Sequence, residues 1–466
     1  MIDRRRFLGL TAGSIVAGNQ PLLGAAGGGV AFIRPGAAGY DAGRRTFNSR
    51  LSKRPALVAA CTTESGVQAA VVRAREMGLP VAVKSGGHSF EGFSVNDGGI
   101  SIDLGGMDQP QYEARSDTFR VGPGAKLRDV TEYLLKRGRL LPAGSCGSVG
   151  IGGLTLGGGY GLFAREFGLT CDHLVGARMV DGSGAVHDTG GGKDGGLLRA
   201  LRGGGNGNFG VVTELRFHTR PAPTNLHAIR YRYHGLKAEV VIARLRAWFE
   251  ATKKFDRQTF GAFVLNGQSL TLLVTTTSER GHAPIEAVLT KFLPQPSGKN
   301  RSVATSPLGK AVKRYEGRPS PLPFRNASAG YYRGFDDIAV ALPEVVELVA
   351  KNPGMMFQIN TLGGKIREPA LVSSYEHRDY GYLGEVQAYW TKPDREAPLM
   401  ATVAKVQMAL RRAGITAHYR NYPDATFKDP LLSYYGEKTL GFLEMLKRKF
   451  DPGDVIRHAQ SVKPAA

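Results

Sequence analysis

Two short glycine-rich segments carry the side chains of this sequence that are best placed for nucleophilic chemistry. Residues 84–90, KSGGHSF, set the imidazole of His88 directly after a glycine pair (the histidine segment). Residues 144–153, GSCGSVGIGG, set the thiol of Cys146 among glycines (the cysteine segment). Glycine lets the backbone approach a ligand closely, and a thiol in an exposed loop near backbone N–H groups can be held as a reactive thiolate. Each segment therefore predicts a ligand-binding loop with one nucleophile.

The elements around these segments must position them. Residues 55–83 predict a strand, a helix capped by Ser65 and a second strand, which runs from residue 80 straight into the histidine segment. Residues 175–188 predict a hairpin with DGSG at its turn. The first half of the chain is therefore predicted to be α+β. Three further elements lead to the cysteine segment: strands at residues 99–104 and 118–121 and a helix at residues 126–137.

The pattern changes after a proline-containing link at residues 220–223. Alternation of apolar and polar residues, with many aromatics, predicts a large antiparallel sheet that has one face covered by helices and the other free for a ligand. Residues 294–323, with six prolines, look least ordered. Residues 419–462 predict loop and short helix. The predicted strands lie at residues 226–233, 260–277, 354–366 and 380–390, and the helices at 238–253 and 399–412.

The first 30 residues are predicted to be an export signal and not part of the fold. Arg5 and Arg6 precede a weakly apolar run rich in Gly and Ala, which is typical of a twin-arginine signal. A membrane anchor fits poorly, because polar residues and proline at 19–21 interrupt a run too short to span a bilayer. We expect cleavage near residues 25–26 and export of a folded protein to the periplasm or the medium.

Cysteine content and charge exclude several other classes of protein. Three cysteines are too few for a fold that depends on disulfides, and Cys61 and Cys171, beside apolar runs, are predicted to be buried. The formal net charge of +21 would suit an anionic partner. The basic residues are scattered, however, and no nucleic-acid motif accompanies them, so we predict no nucleic-acid partner. We expect no metal ion, and the oligomeric state stays open.

Residues 205–210, GNGNFG, spell the GxGxxG dinucleotide fingerprint in the wrong context. That motif opens a helix, whereas residues 211–217 read as a strand. Residues 157–161, GGGYG, lack the Lys and Ser/Thr of a nucleoside-triphosphate loop. The glycine-rich backbone can still bind a pyrophosphate through its N–H groups without either fold.

Motifs along most of the chain resemble the berberine bridge enzyme family, from residue 35 to residue 464. The resemblance implies an α+β, two-domain FAD-binding fold of the vanillyl-alcohol oxidase or p-cresol methylhydroxylase (PCMH) type, with a substrate domain of antiparallel sheet backed by helices. The motifs are SGGHS at 85–89, CGSVGIGG at 146–153, GGGYG at 157–161, NFGVVT at 208–213, NY at 421–422, YYG at 434–436, FDP at 450–452 and RHAQS at 457–461. The implied division is a signal at 1–30, an FAD-binding domain at 35–220, a substrate domain at 221–415 and a segment at 416–466 that returns to the FAD domain.

The same resemblance implies that His88 and Cys146 both bind FAD covalently. Oxidised flavin is electrophilic at its 8-methyl group and at ring carbon 6, which an imidazole and a thiolate can attack respectively. Two links would raise the oxidising power of the flavin and prevent its loss outside the cell. The residues that the resemblance places around the cofactor are Ser85, Gly86, Gly87, Ser89, Gly152, Gly153, Tyr160, Gly161, Val212 and Asn421.

Tyr422 matches the tyrosine that relatives place over the flavin as the base. A phenol with an ordinary pKa of about 10 is a poor base at neutral pH, so it needs nearby positive charge or hydrogen-bond donors. Lys365 is a candidate donor, and a solvated lysine at a strand end is an equally good interpretation. Val149 matches the position that gates dioxygen access in relatives, where oxidases have Val and dehydrogenases Leu. Lys438-Thr439 stand where relatives often carry Asn-Tyr, so the local substrate wall is expected to differ.

These inferences predict an exported, bicovalent FAD-dependent oxidase. It would remove hydride from a C–H bond next to oxygen, or from an activated benzylic or allylic position, and pass electrons to dioxygen to give hydrogen peroxide. The substrate would be a small molecule, either a reducing-end sugar or a secondary-metabolite alcohol. The alternative is a non-catalytic flavin- or ligand-binding protein on the same scaffold, which the presence of His88, Cys146 and Tyr422 disfavours.

Overall fold

The histidine segment follows the last strand of a four-stranded sheet. A computed structural model describes residues 28–190 and 195–465. The sheet packs against the helix Glu64–Glu76, which buries apolar residues at helical spacing as predicted. The helix begins after Thr63, whose side chain accepts a hydrogen bond from the backbone N–H of Gly66, so the prediction of Ser65 as the cap was wrong. In spatial order the strands are Val30–Ile33, Leu57–Cys61, Ile100–Asp103 and Val81–Lys84, the last three parallel.

A second sheet of five antiparallel strands completes the first half. The predicted hairpin is present, and Gly210 of the GxGxxG sequence opens a strand and not a helix. In spatial order the strands are Pro110–Glu113, Thr118–Val121, Gly210–His218, Leu174–Asp181 and Val186–Asp188. A short pair joins Arg139–Leu140 to Arg220–Pro221. The helices of this half are Tyr40–Arg44, Glu64–Glu76, Leu127–Leu135, Ile151–Leu156, Ala164–Phe167 and Gly195–Leu201.

The second half is built on one large antiparallel sheet of seven strands. Side chains alternate between its two faces: Phe357 and Ile359 lie in a hydrophobic core, whereas Gln358 and Asn360 between them line a cavity. Long helices cover the core face, as predicted, and the cavity lies on the other face. In spatial order the strands are Arg301–Pro307, Asn225–Tyr233, Ser269–Thr276, Thr259–Asn266, Met355–Thr361, Tyr382–Tyr389 and Phe324–Tyr332. The helices packed into the core are Ala238–Thr252, Ala283–Phe292, Leu342–Lys351 and Glu396–Arg412.

Two regions are more regular than the sequence indicates. The proline-containing region 294–323 holds the edge strand Arg301–Pro307, which pairs with Asn225–Tyr233, followed by the helix Leu308–Val312. This strand lies at the edge of the sheet and is mostly exposed or half-buried. Its sequence therefore shows little alternation of apolar and polar residues. The C-terminal segment contains the helix Pro430–Phe450, with a kink at Gly436 (φ 62°), and not only short helix. Short 3-10 helices lie at Thr170–His173, Gly298–Asn300, Lys313–Tyr315, Phe335–Asp337, Gly364–Arg367 and Pro393–Arg395.

The C-terminal helix lies against the first half through a buried lysine. The side chain of Lys447 is fully buried, and its Nζ lies 2.7 Å from an Asp451 carboxylate oxygen. It also donates to the backbone carbonyls of Asn208 (2.7 Å) and Ile456 (2.6 Å). Ile456 in turn pairs with Val81, at the start of the strand that leads into the histidine segment. The domain boundaries themselves stay a prediction. Within the described residues, no helix is long and apolar enough to cross a membrane.

Replacing Lys447 should destabilise the fold more than an ordinary surface substitution. Lys447→Ala leaves the carboxylate of Asp451 buried without its cation, which typically costs about 3–5 kcal/mol. Denaturant unfolding should show a correspondingly lower midpoint. The matched control, Lys438→Ala, removes an exposed lysine of the same helix and should change stability by no more than about 0.5 kcal/mol. Equal midpoints for the two variants would contradict this.

Candidate active site

The histidine and cysteine segments meet the uncovered face of the large sheet around one cavity of about 1240 Å³. Every predicted site residue except Lys365 lines it. These residues are Ser85, Gly86, Gly87, His88, Ser89, Cys146, Val149, Gly152, Gly153, Tyr160, Gly161, Val212, Asn421 and Tyr422. Because they come from segments far apart in sequence, the fold brings the predicted loops to a single site.

His88 is held as a neutral imidazole at the cavity wall. Its ring stacks on Phe47 with centroids 4.0 Å apart, and its Nε2 lies 3.1 Å from the hydroxyl oxygen of Ser148. Burial, and to a smaller extent the positive charge of Lys126, lowers the pKa of His88 from 6.5 to about 4, and a hydrogen bond with the Ser148 backbone opposes this in part. A neutral imidazole keeps a lone pair, which a nucleophile requires.

Cys146 is a free, half-buried thiol that faces the same cavity. Its Sγ lies 3.6 Å from the Ser148 hydroxyl oxygen. The backbone N–H of Gly147 donates to the carbonyl of Glu316 (3.0 Å), which fixes the loop beside the thiol. Cys61 and Cys171 are free and buried, as predicted. Burial raises the pKa of the Cys61 thiol to about 12, so that cysteine is unreactive.

The glycines of the two segments are needed because the loops touch each other. A Cβ atom on Gly86 would overlap the backbone of Gly150, and one on Gly150 would overlap the Ser85 hydroxyl. By contrast, a Cβ on Gly153 would have only Asn206 Nδ2 nearby, at 3.9 Å, so the backbone there is open to a ligand. A cavity of this size, with open glycine backbone and two nucleophiles on its wall, fits a large planar cofactor with a pyrophosphate.

Tyr422 lies deeper in the cavity, inside a cluster of aromatic hydroxyls. Its ring stacks on Phe90 of the histidine segment with centroids 5.1 Å apart. Its hydroxyl lies 2.9 Å from that of Tyr160, which also accepts a hydrogen bond of 2.9 Å from the Asn360 amide. Burial raises the pKa of the Tyr422 phenol well above 10.0, and the negative charge of Glu385 raises it further. Tyr422 is therefore a neutral phenol in this structure.

Glu385 is the functional residue that the sequence interpretation missed. It is buried in the strand Tyr382–Tyr389 and faces the cavity. Burial raises the pKa of Glu385 from 4.5 to about 8, and hydrogen bonding from the side chains of Gln387 and Tyr422 offsets this in part. A carboxyl group with this pKa, next to the predicted base, is suited to proton transfer near neutral pH.

Lys365 does not lie at the site, which corrects the prediction that it supports Tyr422. It lies in the short helix Gly364–Arg367, outside the cavity lining, and its Nζ is 3.8 Å from the Glu368 carboxylate. The glycine pair before it has positive φ, 79° at Gly363 and 55° at Gly364. The ionisable group beside Tyr422 is the carboxyl of Glu385, which carries no positive charge, so the expected stabilisation of a phenolate is not supplied.

The sheet side of the cavity is rich in carboxamide groups. Aromatic residues that the sequence could not assign differ in position. Tyr389 lines the cavity, Tyr231, Tyr233 and Trp248 lie in the core, and Trp390 belongs to the core cluster and also reaches the cavity lining. A wall of amides and aromatic rings can hydrogen-bond hydroxyl groups and stack on ring faces. The carboxamide residues on this wall are Asn266, Asn326, Gln358, Asn360 and Gln387.

Comparison with known proteins agrees with this geometry. A family profile described as an FAD binding domain matches residues 55–190. A chitooligosaccharide oxidase of Gibberella zeae is 30% identical over 456 residues, covering 90% of this chain and 89% of the relative. An aclacinomycin-N/aclacinomycin-A oxidase of Streptomyces galilaeus is 28% identical, covering 90% and 87%. The solved structure of BBE-like 1 from Physcomitrella patens superposes with a TM-score of 0.86 at 24% identity, covering 94% and 98%.

The fold and cavity are those of a two-domain, PCMH-type FAD-binding oxidoreductase. The chain belongs to the berberine bridge enzyme-like family of FAD-linked oxidases. FAD is accordingly its cofactor, and the cavity with its open glycine backbone is where the residues of this chain would hold it.

Proposed function

We propose that this protein oxidises a hydroxyl-rich small molecule, removing hydride from a carbon that carries a hydroxyl group. The observation that carries the proposal is the buried cluster of Tyr422, Tyr160 and Glu385 in the same cavity as the glycine-rich loops. FAD, when bound, accepts the hydride and passes the electrons to dioxygen, which gives hydrogen peroxide. The chain itself must position the substrate and accept its hydroxyl proton.

In this proposal the proton leaves the substrate through Tyr422 to Glu385. A neutral phenol can accept a proton at its oxygen while it donates its own hydrogen to a neighbouring carboxylate. Glu385 supplies the carboxylate above its pKa of about 8. Tyr160 and Asn360 hold the Tyr422 hydroxyl in place. In this assignment Tyr422 contacts the substrate, and Glu385 is the final proton acceptor in place of Tyr422.

A sugar is the substrate class that the cavity wall supports best. Carboxamides hydrogen-bond to vicinal hydroxyls, and the rings of Tyr389 and Trp390 offer stacking surfaces. One relative is named as a chitooligosaccharide oxidase, which agrees with this choice. A secondary-metabolite alcohol is the other class, because a second relative is named as an aclacinomycin oxidase.

Anaerobic mixing with candidate substrates tests the function directly. A panel of reducing sugars, oligosaccharides and aromatic alcohols is added to purified holoenzyme while the visible absorbance of the flavin is followed. A substrate bleaches the flavin without air, and air restores the absorbance with formation of hydrogen peroxide. Tight binding of panel members without any bleaching would instead support a non-catalytic ligand-binding protein.

We further propose that FAD is attached through both His88 and Cys146, since both nucleophiles line the cavity. Acid-precipitated protein should stay yellow. His88→Ala and Cys146→Ala should each leave one link, and only the double variant should release its flavin. Mass spectrometry of proteolytic peptides identifies the links. Unmodified peptides at both positions in flavin-loaded protein would rule out covalent attachment.

Removing the Tyr422 hydroxyl should slow flavin reduction while the cofactor stays bound. Tyr422→Phe keeps the ring stacked on Phe90 but breaks the path to Glu385, so single-turnover reduction should fall by about 10²- to 10⁴-fold. The matched control is Tyr112→Phe, a partly buried tyrosine of the second sheet that bonds to Asp117. A raised KM with nearly unchanged reduction at saturation would mean that Tyr422 only orients the substrate.

Val149 is our proposed gate for dioxygen. It lines the cavity, and its backbone N–H donates to the carbonyl of Cys146 (3.2 Å), so it is held close to the thiol. An added methylene would fill a narrow space in a close-packed wall. Val149→Leu should therefore slow reoxidation of the reduced flavin by air without slowing reduction. Equal reoxidation rates in stopped-flow measurements would remove Val149 from the path.

Export by the twin-arginine route also remains our proposal; of its predicted signal at residues 1–30, residues 1–27 lie outside the described residues. The pair Arg5-Arg6 before a weakly apolar run supports it. Replacing both arginines with lysine should leave the precursor in the cytoplasm, as measured by cell fractionation. Unchanged export would indicate another route.

A further inference from the structure

The hydroxyl group of Ser148 lies between the two nucleophiles. Its oxygen is 3.1 Å from Nε2 of His88 and 3.6 Å from Sγ of Cys146. His88 and Cys146 lie on different loops, 58 positions apart in sequence, yet one hydroxyl contacts both. A hydroxyl has a single hydrogen to donate and two lone pairs that accept, so its contacts with the two side chains depend on each other.

We propose that Ser148 couples the two attachment sites of the cofactor, by keeping a proton on Nε2 of His88 and donating its own hydrogen to the sulfur of Cys146. His88 then attacks through Nδ1, and Cys146 attacks as a thiolate. The inference rests on the proposed bicovalent attachment and adds to it a positioning residue.

The hydrogen-bond chain can run in two directions, and only one makes the side chains reactive. If Nε2–H donates to Ser148 and Ser148 donates to sulfur, Nδ1 carries a free lone pair and the sulfur carries no hydrogen. If the sulfur donates to Ser148 and Ser148 donates to Nε2, the hydrogens lie on Nδ1 and on sulfur, and neither atom is nucleophilic. The direction of one hydroxyl therefore sets both reactive forms together.

The surroundings of His88 favour attack by Nδ1. Stacking on Phe47, with the two ring planes within 20° of parallel, fixes the plane of the imidazole. Within the described residues, Nδ1 makes no hydrogen bond, and it is not among the buried unpartnered atoms, so it is open to the cavity. Lys126 disfavours a second proton on the ring. Nε2 faces Ser148 and is the nitrogen that keeps its hydrogen.

The attachment steps balance with dioxygen as the oxidant. Each new bond, from Nδ1 to the 8-methyl carbon or from sulfur to ring carbon 6, replaces one C–H bond of FAD. One proton leaves that carbon in each step. In the histidine step a second proton leaves Nε2 through the Ser148 hydroxyl, and in the cysteine step the second proton has left the sulfur before the thiolate attacks. The two electrons released in each step, together with two protons, reduce one dioxygen to hydrogen peroxide.

The test follows attachment over time in full-length apoprotein from riboflavin-starved cells after FAD is added. Peptides containing His88 and Cys146 are quantified by mass spectrometry, and the linked nitrogen is identified by NMR of the isolated flavin peptide. Wild type should show linkage through Nδ1. Ser148→Ala should slow both links by about 10²-fold, the lower range for loss of a proton-transfer group. Ser148→Thr keeps the hydroxyl and should restore attachment.

Ser269→Ala is the control, because Ser269 also hydrogen-bonds to a histidine, His234 (3.0 Å), but lies outside the cavity lining. It should attach FAD at the wild-type rate. Linkage through Nε2 in wild type, wild-type rates in Ser148→Ala, or slowing of one link alone would overturn the coupling while leaving bicovalent attachment intact. Wild-type protein that binds FAD with neither peptide modified would overturn the proposed attachment, and the role of Ser148 with it.

Discussion

A buried arginine between two carboxylates holds the parts of the active site together. Arg325, on the strand Phe324–Tyr332, forms ion pairs with Glu91 and Asp424, and all three side chains are at most 8% exposed. Glu91 follows the histidine segment, and Asp424 lies two residues after Tyr422. Buried charges are costly unless each has its partner. Separating these chain segments would therefore leave Arg325 buried without a carboxylate partner.

Hydrogen bonds and ring stacking between uncharged side chains also hold these chain segments together. The amide of Asn48, itself fully buried, donates to the carbonyls of Phe90 (2.9 Å) and Phe324 (3.1 Å). Phe90 then stacks on Tyr422. The distance between the nucleophile of the histidine segment and the phenol is thus set by the sheet and not by either loop alone. In the proposed function, one end of the cavity holds the cofactor while the other presents the substrate to Tyr422 and Glu385.

Local sequence pattern predicted the loops well and the buried polar contacts poorly. The strand-helix-strand before His88 follows from periodicity within a few residues, which sequence displays directly. In the large sheet, alternation indicated the strands Asn225–Tyr233, Met355–Thr361 and Tyr382–Tyr389, but residues 260–277 form two paired strands and the strand Phe324–Tyr332 was not predicted. Glu385 was missed because alternation shows that a strand has two faces without telling which one a ligand occupies. Its meeting with Tyr422, 37 positions later, depends on the packing of separate segments. The choice of Lys365 failed for the same reason, since its turn carries it outside the cavity.

The central claim is that Glu385 accepts the substrate proton through Tyr422, and the pH dependence of flavin reduction tests it most directly. The pKa of Glu385 is raised from 4.5 to about 8, so below that pH the carboxyl group is protonated and cannot accept a proton. The rate of anaerobic single-turnover reduction should therefore rise with pH and level off above about 8. In Glu385→Gln it should be low and show no such rise. A rate in wild type that does not change across this pKa, or the same inflection in Glu385→Gln, would contradict the account.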